Sequence, residues 1–137
     1  MYLVDTNVIS ESRKGAGAHP GVRKFWRHVD ESDVYVAVQT IGEIRCGIEI
    51  VRGRGDDAQA ERLERWLEKL AKNFEDRILS FDQAAAQVWG KLMAPDRQHA
   101  IDRQIAAIAL IHGLTVVTRN EADFAETGVE LRNPFAE

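Results

Sequence analysis

Four short apolar runs, each ending in polar residues and each followed by a helical pattern, constrain this chain more than any other feature. Tyr2-Leu3-Val4 stops at Asp5-Thr6-Asn7. Val34-Tyr35-Val36-Ala37-Val38 is rich in β-branched residues and gives way to Thr40. Ile78-Leu79-Ser80-Phe81 precedes Asp82, and Thr115-Val116-Val117-Thr118 precedes Arg119-Asn120. Apolar runs this short, with little polar alternation, fit strands buried on both faces. A short fifth is expected at Val129-Glu130-Leu131.

Helix signals fill the intervals. Val8 to Lys14 forms a short helix closed by Gly15-Ala16-Gly17, and Pro20 opens another that runs through Phe25 and Trp26 to about Val29. Thr40 opens a helix whose Ile41, Ile44, Ile48 and Val51 make one apolar stripe, ended by Gly53 and Gly55. From Asp57 to Phe74, Leu63, Leu67, Leu70 and Phe74 line one side, with Glu61–Arg65 and Glu68–Lys72 as favourable pairs one turn apart. Asp82 caps a helix that turns Ala85, Val88, Trp89 and Leu92 inward and stops near Pro95. Asp102 to His112 is apolar nearly all round, hence central, with Gly113 as its C-terminal cap. Strands that alternate with helices predict a three-layer α/β/α sandwich around a mostly parallel sheet of four to five strands. The 137 residues suffice for one core and not for two, so a single domain over 1–137 is expected.

The formal net charge of −4 excludes a protein that grips nucleic acid by bulk positive charge. A nucleic-acid role then needs a local basic surface, or metal ions, against phosphate repulsion. Cys46 stands alone and cannot form an internal disulfide. The opening Met-Tyr-Leu-Val-Asp has no basic lead and carries a carboxylate in its first apolar run, unlike a signal peptide. A cytoplasmic protein is expected. The longest apolar stretch, Ile105 to Ile111, suits a buried helix and is too short for a membrane span. The four histidines, His19, His28, His99 and His112, lack a paired ligand spacing such as H-E-x-x-H and are expected at the surface or at helix ends.

Carboxylates stand at the strand ends. Asp5 follows the first strand, Glu43 sits in the first turn after the second, Asp102 opens the central helix, and Asp123 follows the fourth strand. Each has a structural explanation. Asp5 and Asp102 suit helix N-caps, and Asp123 suits a loop or the cap of a last short turn. Thr40-Ile41-Gly42-Glu43 has the form of a capping box, so Glu43 taken alone is better explained as a cap. Together they mean more, because in a parallel sheet these positions converge beyond the carboxyl ends of the strands. Two unit charges about 5 Å apart cost on the order of 3 kcal/mol at an effective dielectric of 20. A fold holds several such pairs only if protons or a divalent cation compensate, and hard oxygen donors select Mg²⁺ or Mn²⁺ over zinc.

The segments that carry these acids resemble the PIN-domain ribonucleases, in particular the VapC-type toxins of type II toxin–antitoxin pairs. Val4-Asp5-Thr6-Asn7-Val8-Ile9-Ser10-Glu11 is similar to the opening of that family, and Thr40-Ile41-Gly42-Glu43-Ile44-Arg45-Cys46-Gly47-Ile48 to its second block. Asp102-Arg103-Gln104-Ile105-Ala106-Ala107-Ile108-Ala109, with His112-Gly113-Leu114, resembles the third, and Val117-Thr118-Arg119-Asn120-Glu121-Ala122-Asp123-Phe124 the fourth. Asp96 lacks the following I-A-A run, so the third acid maps to Asp102. Gly53 to Asn73 is matched least. The resemblance implies that Asp5, Asp102 and Asp123 hold Mg²⁺ or Mn²⁺ and that Glu43 completes the catalytic set, orienting or deprotonating the attacking water. Thr6, Asn7, Thr118 and Asn120 would be hydrogen-bond partners behind these acids. It further implies RNA as substrate, a VapB-like antitoxin as partner and a homodimer. Arg13, Lys14, Arg45 and Arg119 are the cations expected nearest the pocket. Trp26, Ile48 and Trp66 are candidates for an apolar groove that receives the antitoxin.

Two other functions fit parts of the pattern. An aspartate after the first strand is the nucleophile of haloacid-dehalogenase-like phosphatases, but those want D-x-D and the third position here is Asn7. A non-catalytic binding module is disfavoured by the complete acidic set. Neither a P-loop nor G-x-G-x-x-G occurs, so nucleotide binding has no support.

Overall fold

A computed structural model describes residues 1–137. Five strands, β1 (Tyr2–Val4), β2 (Val34–Ala37), β3 (Ile78–Leu79), β4 (Thr115–Val117) and β5 (Leu131–Arg132), form one sheet in the order β3-β2-β1-β4-β5, and every pairing is parallel. Seven α-helices connect and cover them: α1 (Thr6–Ser12), α2 (Pro20–His28), α3 (Val38–Gly53), α4 (Asp57–Asn73), α5 (Gln83–Met93), α6 (Ala100–His112) and α7 (Glu121–Phe124). No helix is long and apolar enough to cross a membrane.

The alternation of side chains along each strand divides the core in two. Val4, Val34, Val36 and Val117 point to one face, where Val8, Ile9, Phe25, Ile48 and Leu67 of α1 to α4 close over them. Leu3, Ala37 and Val116 point to the other, against Ala85 of α5 and Ile105, Ala106, Ile108 and Ala109 of α6. This is the expected three-layer arrangement. The middle of α6, Ile105 to Ala109, is buried, whereas Ile101, Leu110 and Ile111 are exposed despite their apolar character, so the helix is central only in its middle turns.

The strand order positions the site. From β1 the sheet grows through β2 to β3, then the chain crosses back and adds β4 on the other side of β1. The carboxyl ends of β1 and β4 therefore flank the point where the winding reverses, which is where ligand crevices form in open α/β sheets.

Several boundaries differ from expectation. β2 ends at Ala37, and Val38 is the first residue of α3 and 42% exposed. The neighbouring strands explain this: β1 ends at Val4 and β3 at Leu79, so Val38 has no ladder partner. β3 has only two residues, β5 lies slightly later than Val129, and α6 starts at Ala100 rather than Asp102. The link between α5 and α6 is anchored by Arg103, a buried guanidinium that donates to the backbone carbonyls of Leu92 and Asp96 and faces the Asp96 carboxylate at 3.7 Å.

Candidate metal centre

Asp5 leaves β1 at the reversal point. Its backbone N–H donates to the Val117 carbonyl at 2.9 Å, which continues the β1–β4 pairing by one residue. Its carboxylate caps α1 as predicted: Oδ1 accepts from the Thr6 N–H at 2.9 Å, while Oδ2 accepts from Thr118 Oγ1 at 2.8 Å and Asn7 Nδ2 at 3.2 Å. A carboxylate has about four acceptor positions, and these three bonds leave one on Oδ1. Asp5 is only 3% exposed. Burial pushes its pKa up, the three hydrogen bonds oppose this, and the charge of Asp123 adds to the rise. So enclosed a carboxylate is badly placed for in-line attack on a phosphate, which counts against the aspartyl-phosphatase alternative.

Thr118 is the hub behind Asp5. It is fully buried, donates to Asp5, and accepts from Asn7 Nδ2 at 3.3 Å and the Asn120 N–H at 3.0 Å. Asn7 Oδ1 accepts from the Arg119 N–H at 3.0 Å. The segments after β1 and β4 are thus tied side chain to backbone. Asn120 takes part through its backbone alone.

Glu43 does not form a capping box. Because α3 begins at Val38, Thr40 lies inside the helix, fully buried, and the helix has no side-chain cap. Glu43 instead accepts from Thr6 Oγ1 at 2.6 Å, and Thr6 Oγ1 also meets Thr40 Oγ1 at 3.3 Å. Partial desolvation there raises the Glu43 pKa, the Thr6 hydrogen bond works against it, and the Asp5 charge adds to it.

Asp102 lies in the first turn of α6 and Asp123 in α7. Burial, then the charges of Asp5, Asp123 and Glu43, push the Asp102 carboxyl up to about 6, with His99 acting in the opposite direction. The carboxylates after β1, after β4, on α3 and on α6 therefore feel one another's charge, but Asp5 and Glu43 lie outside the close donor group that Asp102 and Asp123 form. Asp96 is turned away, bonded to the Gln98 N–H and to Arg103. His99 is the residue that sequence reasoning missed. Its Nδ1 is 3.6 Å from Asp123 Oδ1 and 4.0 Å from Asp102 Oδ2, and the three side chains offer donor atoms within 4.8 Å of one another. A signal existed in His99-Ala100-Ile101-Asp102, where a three-residue spacing puts both side chains on one side of a helix start. The carboxylate oxygens of Asp102 and Asp123 suit a hard divalent cation, and the spare acceptor position of Asp5 lies outside their close group.

Comparison with known proteins agrees with this architecture. The PIN domain family matches residues 2–130. The chain belongs to the PIN-domain family. Among curated relatives of this PIN domain, Toxin FitB of Neisseria gonorrhoeae is 33% identical over 141 residues, covering 98% of this chain and 99% of the other. VapC ribonuclease Y4jK of Sinorhizobium fredii is 31% identical over 144 residues, covering 98% of each. The crystal structure of FitAcB from Neisseria gonorrhoeae superposes with a TM-score of 0.82 at 32% identity, covering 100% of both chains.

The cations around the crevice of this PIN domain fall into two groups. Lys14 pairs with Glu11 at 2.9 Å, and Arg45 with Glu64 at 2.7 Å and Glu49 at 3.3 Å. Arg119 instead lies 4.0 Å over the Phe135 ring and Arg13 5.9 Å over Trp66, and neither forms a salt bridge. A groove of about 220 Å³ runs from Thr6 and Glu43 past Arg13 to Ile48, Leu63 and Trp66. Trp26 does not line it; that side chain packs edge-on against Phe25 with centroids 5.3 Å apart.

Proposed function

We propose that this PIN domain is a Mg²⁺- or Mn²⁺-dependent endoribonuclease and the toxin of a toxin–antitoxin pair. The observation that carries the reading is the Asp102 carboxyl, which burial first, and then the charges of Asp5, Asp123 and Glu43, raise to about 6, with Asp123 and His99 offering donor atoms beside it. Asp5, Asp102 and Asp123 would hold the ion. When bound, a divalent cation supplies a water that is nucleophilic near neutral pH and offsets charge on the phosphate. Glu43, fixed by Thr6, would orient the attacking water and accept its proton, a task that its raised pKa suits. Thr118 and Asn7 keep the Asp5 carboxylate in one orientation. Arg119 and Arg13, outside any salt bridge and placed over aromatic rings, meet the RNA backbone. Single-stranded or looped RNA fits a recessed site.

Relatives named as a toxin and as a VapC ribonuclease support both halves of this reading. A VapB-like antitoxin would place an apolar segment in the groove beside Trp66, with a basic side chain toward the acids. A homodimer is part of the same reading, and exposed Ile101, Leu110 and Ile111 of α6 offer apolar surface for it. A single domain over residues 1–137 acting in the cytoplasm completes the proposal.

The test uses the purified chain, stripped of antitoxin, on single-stranded RNA with EDTA or with Mn²⁺. Cleavage with Mn²⁺ alone, lost in Asp5→Asn and Asp102→Asn, is expected. Undiminished cleavage by either variant refutes the mechanism. Release of phosphate from a small phosphomonoester, with a trapped aspartyl-phosphate at Asp5, would establish a phosphatase instead.

A further inference from the structure

Two histidines of this chain occupy helix N-cap positions, and they behave differently. At the start of α2, His19 does what such a residue ordinarily does: its Nδ1 accepts from the Gly21 N–H at 3.0 Å. At the start of α6, His99 makes no capping hydrogen bond. Its Nδ1 faces Asp123 Oδ1 at 3.6 Å and Asp102 Oδ2 at 4.0 Å instead. The backbone is shaped for this. His99 is the one non-glycine residue with a positive φ, +56°, and buried Arg103 ties the preceding segment to α6 through the Leu92 and Asp96 carbonyls.

These separations fit a shared ion. Two donors each about 2.1 Å from one cation lie roughly 3 to 4.2 Å apart, from adjacent to opposite positions. Both distances from His99 Nδ1 fall in that interval. The nitrogen also changes which ion is preferred. Mg²⁺ is held by oxygen and keeps its waters, whereas imidazole favours first-row transition ions, with affinity rising from Mn²⁺ toward Co²⁺ and Ni²⁺.

We infer that His99 is a nitrogen ligand of the metal centre, beside Asp102 and Asp123, and that it biases this protein toward Mn²⁺ and its heavier neighbours over Mg²⁺. The inference rests on the metal-centre reading above and narrows its cofactor. It distinguishes this chain's centre from one built of carboxylates alone.

The test measures binding, not activity. The full chain, freed of antitoxin and stripped with EDTA, is titrated with Mn²⁺ (free ion followed by electron paramagnetic resonance) and, in competition, with Mg²⁺. The informative variant is His99→Asn, because asparagine tolerates the left-handed backbone and offers an oxygen in place of the nitrogen. The variant loses about 10-fold or more in Mn²⁺ affinity while Mg²⁺ affinity changes by less than about 3-fold. A second measurement needs no variant to fold. In the wild-type protein labelled with ¹⁵N-histidine, Co²⁺ shifts the His99 ring nitrogens strongly and leaves those of His19, His28 and His112 near their metal-free positions. An unchanged Mn²⁺-to-Mg²⁺ ratio in His99→Asn, or an unshifted His99 ring, overturns the inference. Asp102→Asn separates the two levels: if it abolishes binding and His99→Asn leaves the ratio alone, only the histidine ligand falls. If wild type binds neither ion, the metal centre falls with it.

Discussion

Asp102→Asn raises the stability of the metal-free protein near neutral pH, although it removes a proposed ligand. Burial and the charges of Asp5, Asp123 and Glu43 hold this carboxyl up at about 6 against an ordinary 3.8. At 1.36 kcal/mol per pH unit, ionising it in the folded protein costs at most about 3 kcal/mol. The side chain is 23% exposed, and solvent screening brings the working figure to about 1.5 kcal/mol. Asparagine has the same shape, and no hydrogen bond contributes to the Asp102 environment, so little is lost in exchange. For a chain of this length about 1.5 kcal/mol is roughly 5 °C in Tm. The sign follows from the direction of the shift. A folded-state pKa above the unfolded one stabilises wild type fully below 3.8, and that contribution is lost as pH rises through about 6. The advantage of the variant is therefore greatest near neutrality and fades as pH falls. Excess Mn²⁺ reverses the order, since an ion at 100 times its Kd adds about 2.7 kcal/mol to the form that binds it. Thermal unfolding by circular dichroism, in EDTA and in Mn²⁺ across this pH range, measures all three effects. A variant less stable than wild type in EDTA near neutrality, or a gain independent of pH, refutes the account of mutual repulsion.

Other substitutions probe the rest of the site. Thr118→Val removes a buried hydroxyl that bonds Asp5, Asn7 and the Asn120 N–H and costs about 2–3 kcal/mol in urea unfolding, with Thr118→Ser retaining most of it. Arg119→Ala raises the KM for RNA several-fold with kcat little changed and lowers the salt dependence of binding by about 0.7 in log–log slope, as for one lost contact to a single strand. Arg45→Ala leaves both nearly unchanged, because Glu49 and Glu64 already occupy its guanidinium. Gly21→Ala places a methyl 1.8 Å from the Pro134 carbonyl oxygen, which displaces the C-terminal turn carrying Phe135 and costs about 1–3 kcal/mol by thermal unfolding.

Much of the fold was legible because its signals are local. A three-residue apolar run ended by Asp5 marks β1 and the α1 cap together, and the apolar Asp102–His112 segment marks a central helix. The expectations that failed depended on distant neighbours. Val38 has strand chemistry but no strand beside it, so α3 starts early and Thr40 becomes a buried contact for Thr6 instead of a cap. Arg45 belongs to a family-like motif, yet Glu64 on another helix claims it. Trp26 and Trp66 look alike as apolar helix residues, and only packing puts one against Phe25 and the other in the groove.

By itself the sequence determined the alternation of strands and helices and which carboxylates follow which strands, because both depend on periodicity and residue type over a few positions. Only the tertiary structure decided that β1 lies beside β4. That placement brings Thr118 to Asp5 across 113 residues of chain and sets Asp102 and Asp123 opposite it. It also decided that His99, itself in the left-handed region, turns its ring toward Asp123 and Asp102. Charge repulsion and ligand geometry are properties of distances in space, and those distances exist only once the sheet has chosen its strand order.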